Sequence, residues 1–201
     1  MPVKDAQTER LIIETAMRIF FVEGNIHAKT QTIADAAGVN RGLLYYYFKN
    51  REQLLQVVFK EALTVIDMRM RELFFRSNVS FKEKIGQFVE FFIDNNLKYP
   101  YLEMFLITEV NSGAHNLPKA PSEDLNFLFV NIEKGLKEEI KKGNVPEMSA
   151  HQFMANVISL CAYPVISKML MKDMMMMDEH KYQNFIKERK QLVLKVLFRN
   201  E

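Results

Sequence analysis

Apolar side chains in this chain return at every third or fourth position almost from end to end, and that period most constrains what it can fold into. Ile12, Ala16, Ile19 and Phe20 fall at i, i+4, i+7 and i+8, one face of a helix. Leu54, Leu55, Val58, Ala62, Leu63, Ile66 and Met70 hold the same spacing further on. The two-residue alternation of a half-buried strand is nearly absent. Only seven glycines and six prolines interrupt 201 residues dominated by strong helix formers. The expected fold class is all-α.

The breaks between these stripes predict about nine helices. The first covers residues 6–23 and ends at Gly24, where a left-handed cap costs glycine nothing. Two short helices follow, over 30–37 and 41–48, joined by Gly38-Val39-Asn40, with Asn40 as N-cap of the second. A long helix runs over 51–75, and Ser77 to Ser80 form a turn in which Ser80 caps a helix over 81–97. Pro100 opens another helix that stops at Asn111, and residues 113–122 are a loop. Ser122 caps a helix ending near Lys142, Ser149 opens one reaching Met171 with a kink at Pro164, and the last helix covers 178–198. Composition changes near residue 51, from a compact segment with alanines to long helices rich in Phe and Met. A small module over residues 1–50 is therefore expected ahead of a larger helical body over 51–201.

A net charge of +2 is too small for a surface-wide attraction to polyanions, so any such binding must come from local arrangement. The single cysteine, Cys161, rules out an internal disulfide and suits a reducing cytosol. The N-terminus does not read as a signal peptide, and no apolar run reaches the roughly 18 residues needed to span a bilayer. A soluble cytoplasmic protein without membrane partners is expected. His27, His115, His151 and His180 are scattered without a second ligand at metal spacing, so neither a metal site nor a cofactor is expected. There is no Gly-rich phosphate loop, no nucleophile elbow and no Cys-His pair, and Glu138-Glu139 lie among lysines as a solvated face. Enzyme activity has no support.

The informative segment is TQTIADAAGVNRGLLYYYFK, residues 30–49. Ile33, Ala34, Ala37, Val39, Leu44 and Tyr47 supply the apolar or small groups that two crossing helices need. Ala34 is small where the helices touch, and Gly38 supplies a positive φ in the turn. Such a crossing thrusts the start of the second helix outward, toward a major groove. Successive helical residues point about 100° apart. With Leu44 and Phe48 inward, Tyr46 should face out and offer its hydroxyl to phosphate. Arg41 is the candidate base reader, its fork matching guanine O6 and N7. Simple packing is the alternative use of three consecutive tyrosines.

These residues resemble the TetR family of one-component regulators. The likeness rests on Ile33-Ala34-x-x-Ala37-Gly38-Val39, Leu44-Tyr45-x-Tyr47-Phe48 and Arg51-Glu52-x-Leu54-Leu55, with Phe20 and Gly24 before them. It covers about residues 8–56. It implies that Thr30 and Gln31 contact phosphate and base edges, that Asn40, Arg41, Gly42 and Leu43 form the groove-facing start of the recognition helix, and that Tyr45 and Tyr47 contact phosphate. Arg51 stands where the family's usual lysine meets phosphate, and Lys29 where a capping threonine is common.

The resemblance also implies a homodimer on double-stranded operator DNA, built by the last two helices of each chain. Tyr182, Phe185, Ile186, Arg189, Leu192, Val193, Val196 and Leu197 form a broad apolar stripe with one charge, suited to that interface or to an internal core. Phe88, Phe92, Met104, Phe105, Phe127 and Phe129 are candidates to line an effector pocket for a small apolar or amphipathic molecule. The run Met174 to Met177 reads as a connector partly buried on the body, or else as a gate or partner surface. The expected function is a ligand-responsive repressor of a palindromic operator. The alternative is a DNA-binding regulator without a small-molecule effector, its body serving dimerisation or protein contacts.

Overall fold

The computed structural model describes residues 5–76, 78–111 and 122–199. The expected loop over 113–121 with His115, position 77 of the expected turn, and the side chains of Ser122 and Phe127 lie outside the described residues. Among those described the chain is all-α, without strands: α1 (Ala6–Met17), α2 (Thr30–Ala36), α3 (Arg41–Tyr47), α4 (Arg51–Phe75), α5 (Phe81–Lys98), α6 (Leu102–Asn111), α7 (Ser122–Lys141), α8 (Ala150–Ile166), α9 (Lys168–Met174) and α10 (Glu179–Leu197). No single described helix is long and apolar enough to cross a membrane.

Two local features depart from the periodic reading. The first helix does not stay α-helical to residue 23: Arg18–Val22 is a π turn, closed by the Glu23 N–H to the Arg18 carbonyl at 3.0 Å. Ile19, Phe20 and Phe21 are all buried within this wider turn. The expected helix from Ser149 to Met171 is two helices, which raises the count from about nine to ten. Ser149 does cap α8, accepting the Gln152 N–H at 3.2 Å. Beyond Pro164 the chain turns by 75° into α9.

That bend leaves a backbone group to be satisfied. Pro164 has no N–H, so the carbonyl of Leu160, four residues earlier, loses its helical donor. Arg189 on α10 supplies the replacement, its Nε donating to the Leu160 carbonyl at 3.0 Å. The Tyr182 hydroxyl, also on α10, donates to the Pro164 carbonyl at 3.1 Å. Cys161 is fully buried between these two contacts, and burial pushes its thiol pKa up to about 12, with Arg189 pulling it back only in part.

Packing divides the chain into two units, one comprising Met1–Ile66 and Lys98–Lys119, the other Asp67–Leu97 and Ala120–Glu201. The core of the first gathers Ile12, Ala16, Phe20, Ile33, Leu44 and Phe59, with Phe105 of α6 against Phe21 and Phe59. α6 is tied to the end of the π turn by the Tyr101 N–H to the Phe21 carbonyl, at 3.1 Å. The Tyr101 ring covers Gly24, where φ is +73° and a Cβ would lie 2.8 Å from the ring. The second core joins α5, α7, α8 and α10 through Phe88, Ile93, Ile132, Phe153, Val157 and Val193. From the end of α9 onward, Met174, Met175 and Met176 are exposed and only Met177 packs on that core, so little of the methionine run is buried. Met176 has a φ of +49°.

Candidate nucleic-acid interface

α2 and α3 are short helices that gain stability only by packing, and the residues between them fix how they pack. Ala34 is fully buried at the crossing, with Ile33 and Leu44 beside it. The chain leaves α2 through bonds from Ala37, Gly38 and Val39 N–H back to the Ile33, Asp35 and Ala34 carbonyls. Gly38 holds φ at +67°, and a Cβ there would meet nothing within 4 Å. The backbone angle, and not crowding, selects glycine here. Asn40 then caps α3, its Oδ1 accepting the Leu43 N–H at 2.7 Å. Lys29, at the N-cap of α2, makes no side-chain cap bond.

On the outer side the start of α3 is open. Arg41 and Gly42 are exposed, Leu43 is half-buried, and Arg41 has no ion-pair partner among the described residues. Thr30 is half-buried at the start of α2, and Gln31 is exposed, its Nε2 donating to Asp35 at 2.6 Å. Tyr45 is 58% exposed, with the Lys49 ammonium 5.5 Å from its ring centre. These groups form one polar and aromatic rim around the N-terminal half of α3.

Three expected contacts are placed differently. Tyr46 does not project outward; it is half-buried on the core and meets Tyr47 edge to face at 5.4 Å. The outward tyrosine is Tyr45. Tyr47 is 5% exposed, and its hydroxyl accepts the Asp5 N–H at 2.8 Å and donates to the Asp5 carbonyl at 3.1 Å, fastening the entry of α1. Arg51 turns toward the protein. Its guanidinium donates to the carbonyls of Ile26 and Ala28, at 3.1 Å for the latter, and lies 5.7 Å from the Phe20 ring. The side chain is 25% exposed. The longer reach and five donors of arginine bridge the loop before α2, which a lysine point charge would not do as well.

The candidate pocket residues fall in two separate cores. Phe88 and Phe92 pack at 5.4 Å in the second unit, whereas Phe105 belongs to the first. Met104 is exposed, and Phe129 of α7 stacks on His151 at 5.0 Å. The candidate dimer stripe divides by face. Ile186 and Val193 are buried in their own chain's core, Phe185 packs half-buried against it, and Arg189 is taken up by the proline break. Leu192 and Val196 remain exposed on α10, as do Ile158 and Tyr163 on α8. Arg189 was legible only by pairing it with Pro164, since a proline inside a helix always leaves one carbonyl in want of a donor.

Residues 12–58 match the family described as bacterial regulatory proteins, tetR family. The fatty acid metabolism regulator protein of Bacillus subtilis is 28% identical over 143 residues, 68% of this chain and 70% of that protein. The HTH-type transcriptional regulator TtgR of Pseudomonas putida is 38% identical over 52 residues, 26% of this chain and 25% of that protein. Among solved structures, the fatty acid degradation regulator FadR of Bacillus halodurans has a TM-score of 0.63 at 23% identity, covering 96% of this chain and 97% of that one. FadR of Bacillus subtilis in complex with stearoyl-CoA has a TM-score of 0.54 at 21% identity, covering 92% and 97%. At that identity the structural likeness speaks to the fold alone. The segment that holds the crossing of α2 and α3 around Ala34 and Gly38 is thus the part that matches the tetR family of bacterial regulatory proteins.

Proposed function

We propose that the chain is a cytoplasmic repressor that binds a palindromic operator as a homodimer through α2 and α3 and is released by a small amphipathic effector. In this reading residues 1–50 make the DNA contacts and residues 51–201 serve effector binding and dimerisation. The observation that carries it is the start of α3, where the exposed Arg41 lacks any ion-pair partner among the described residues and stands next to an exposed Tyr45. Arg41 reads a base edge, while Gln31, Thr30 and Tyr45 hold the sugar–phosphate chain on either side. Gly42 keeps the helix surface low enough for close approach. One such unit spans few base pairs, so affinity requires two copies on half-sites a helical turn or more apart.

The effector class is supported by two of the similar proteins, one a fatty acid metabolism regulator and one a regulator in complex with stearoyl-CoA. A fatty acid or its thioester is the first class to test. It releases DNA only in so far as it binds the two conformations of the dimer with different affinity. Footprinting on the DNA upstream of the chain's own gene and its neighbours tests the core of the proposal. Arg41→Ala should weaken binding to the protected site by about 1–3 kcal/mol at matched salt. Binding indistinguishable from the parent would remove α3 from the role.

A further inference from the structure

The second unit carries a groove that neither the DNA contacts nor the core explains. It lies between α7 and the start of α8 and encloses about 610 Å³, within the range of about 300–1,000 Å³ typical of small-molecule sites. Its floor is apolar, from Phe129, Val130 and Leu136 on α7 and Met148 and Ala150 at the entry to α8. Phe129 is held flat against His151 at 5.0 Å, so that wall is already in place. Val130 stands 62% exposed at the lip, and four lysines follow it within twelve residues.

Past Val130 the groove continues into a second, shallower one of about 340 Å³ with a different character. Val130, Glu133 and Lys137 line both. Lys134 and Lys141 are added in the extension, and the positions 130, 134, 137 and 141 share one helical face. Lys137 pairs with Glu133 at 2.7 Å, and Glu138 offsets part of the remaining charge. Lys134 and Lys141 have no ion-pair partner among the described residues. The apolar trough thus leads, past the Glu133–Lys137 pair at the junction, to two ammonium groups without an ion-pair partner among the described residues.

We propose that this paired groove is a binding site for an acyl chain with an anionic head, the chain lying along Phe129, Val130, Leu136 and Met148 and the head between Lys134 and Lys141. Burial of the chain supplies affinity in proportion to the apolar area covered, and the ammonium groups set direction and exclude neutral analogues. A carboxylate and a phosphate ester satisfy this chemistry equally. The binding claim stands on the second unit alone, and only its regulatory meaning rests on the ligand-responsive reading above.

The chain has no tryptophan, so calorimetric titration of the full-length protein is the suitable readout. Dodecanoate, dodecyl phosphate and dodecan-1-ol are titrated below their aggregation limits. Both anions should saturate at one per chain, and the alcohol should bind at least about tenfold more weakly. Whichever anion binds more tightly identifies a free acid or a phosphorylated head as the natural form. Val130→Glu, and separately the double change Lys134→Glu with Lys141→Glu, should each weaken both anions by at least about tenfold. Lys195→Glu, an exposed change on α10, serves as the control and should leave the titration unchanged. All the substituted positions are exposed, so thermal unfolding should change little and folding is not at issue. Equal affinity for the alcohol, or equal loss in the control, overturns the proposal. So does absence of saturable binding, or conversion to monomer by Val130→Glu, which would make the groove a contact between copies. Operator binding measured on the same preparations is unaffected by any of these failures, so they stay distinct from failure of the DNA-binding reading.

Discussion

Arg51 illustrates how the same residue type can serve two purposes at one position. An exposed guanidinium at the start of α4 would meet phosphate; this one instead bridges the carbonyls of Ile26 and Ala28 and shields the Phe20 ring. Arg51→Ala should therefore lower stability by about 1.5–3 kcal/mol, the usual range for hydrogen bonds that involve a charged group, as measured by urea denaturation. The slope of DNA affinity against salt should stay as in the parent, because no phosphate contact is lost. Arg51→Lys should recover only part of the stability. Cys161 gives a second check at this scale. With its thiol fully buried and its pKa pushed to about 12, the reactive thiolate is nearly absent at neutral pH, and only as pH rises toward 12 does it accumulate. The native protein should resist a disulfide-exchange reagent, and one equivalent should react once the chain is unfolded. Asn40, Gly38 and Ala34 were readable from residue type, because cap, positive φ and close crossing each admit few side chains. Tyr46 and Tyr47 were not. The direction read from Leu44 and Phe48 pointed Tyr46 outward, whereas Tyr46 packs on the core and the deciding partner of Tyr47 lies 42 positions away at Asp5.

Among the elements, α8 shows what a periodic pattern omits. Its stripe of Ala150, Phe153, Met154, Val157 and Cys161 was legible as a helix, and so was a disturbance at Pro164. What holds the disturbed end in place comes from α10, through Arg189 to the Leu160 carbonyl and Tyr182 to the Pro164 carbonyl. Arg189→Met should cost about 1–3 kcal/mol by leaving that carbonyl without a donor. The same change made with Pro164→Ala should cost much less, because alanine restores the N–H that proline lacks. A double-mutant cycle by thermal or urea unfolding reads this coupling directly. Additive losses would mean that Arg189 supports α8 in some other way. The π turn that follows α1 is another feature the periodic pattern omits, and it holds Ile19, Phe20 and Phe21, all buried.

For the whole molecule, the all-α class followed from the apolar period, because that signal is summed over many residues. The pocket lining did not follow, since Phe and Met fill cores and cavities alike, and the candidates among the described residues proved to belong to two cores or to the surface. The candidate dimer interface narrows to the residues left uncovered. Leu192 and Val196 on α10 are exposed, whereas Ile186 and Val193 are committed inside the chain. Leu192→Lys with Val196→Lys should therefore convert a dimer to monomers in sedimentation and weaken operator binding by at least about a hundredfold, with the fold intact by circular dichroism. A dimer unchanged by both would move the interface elsewhere. The solitary, sealed sulfur of Cys161 also has a practical outcome at this scale. Any cysteine introduced on the surface, for instance beside Tyr45, becomes the single addressable handle on each chain. Spin labels placed there would then act as a ruler, testing in solution whether two copies pair as proposed and whether the gap between their α3 helices changes when a ligand is added.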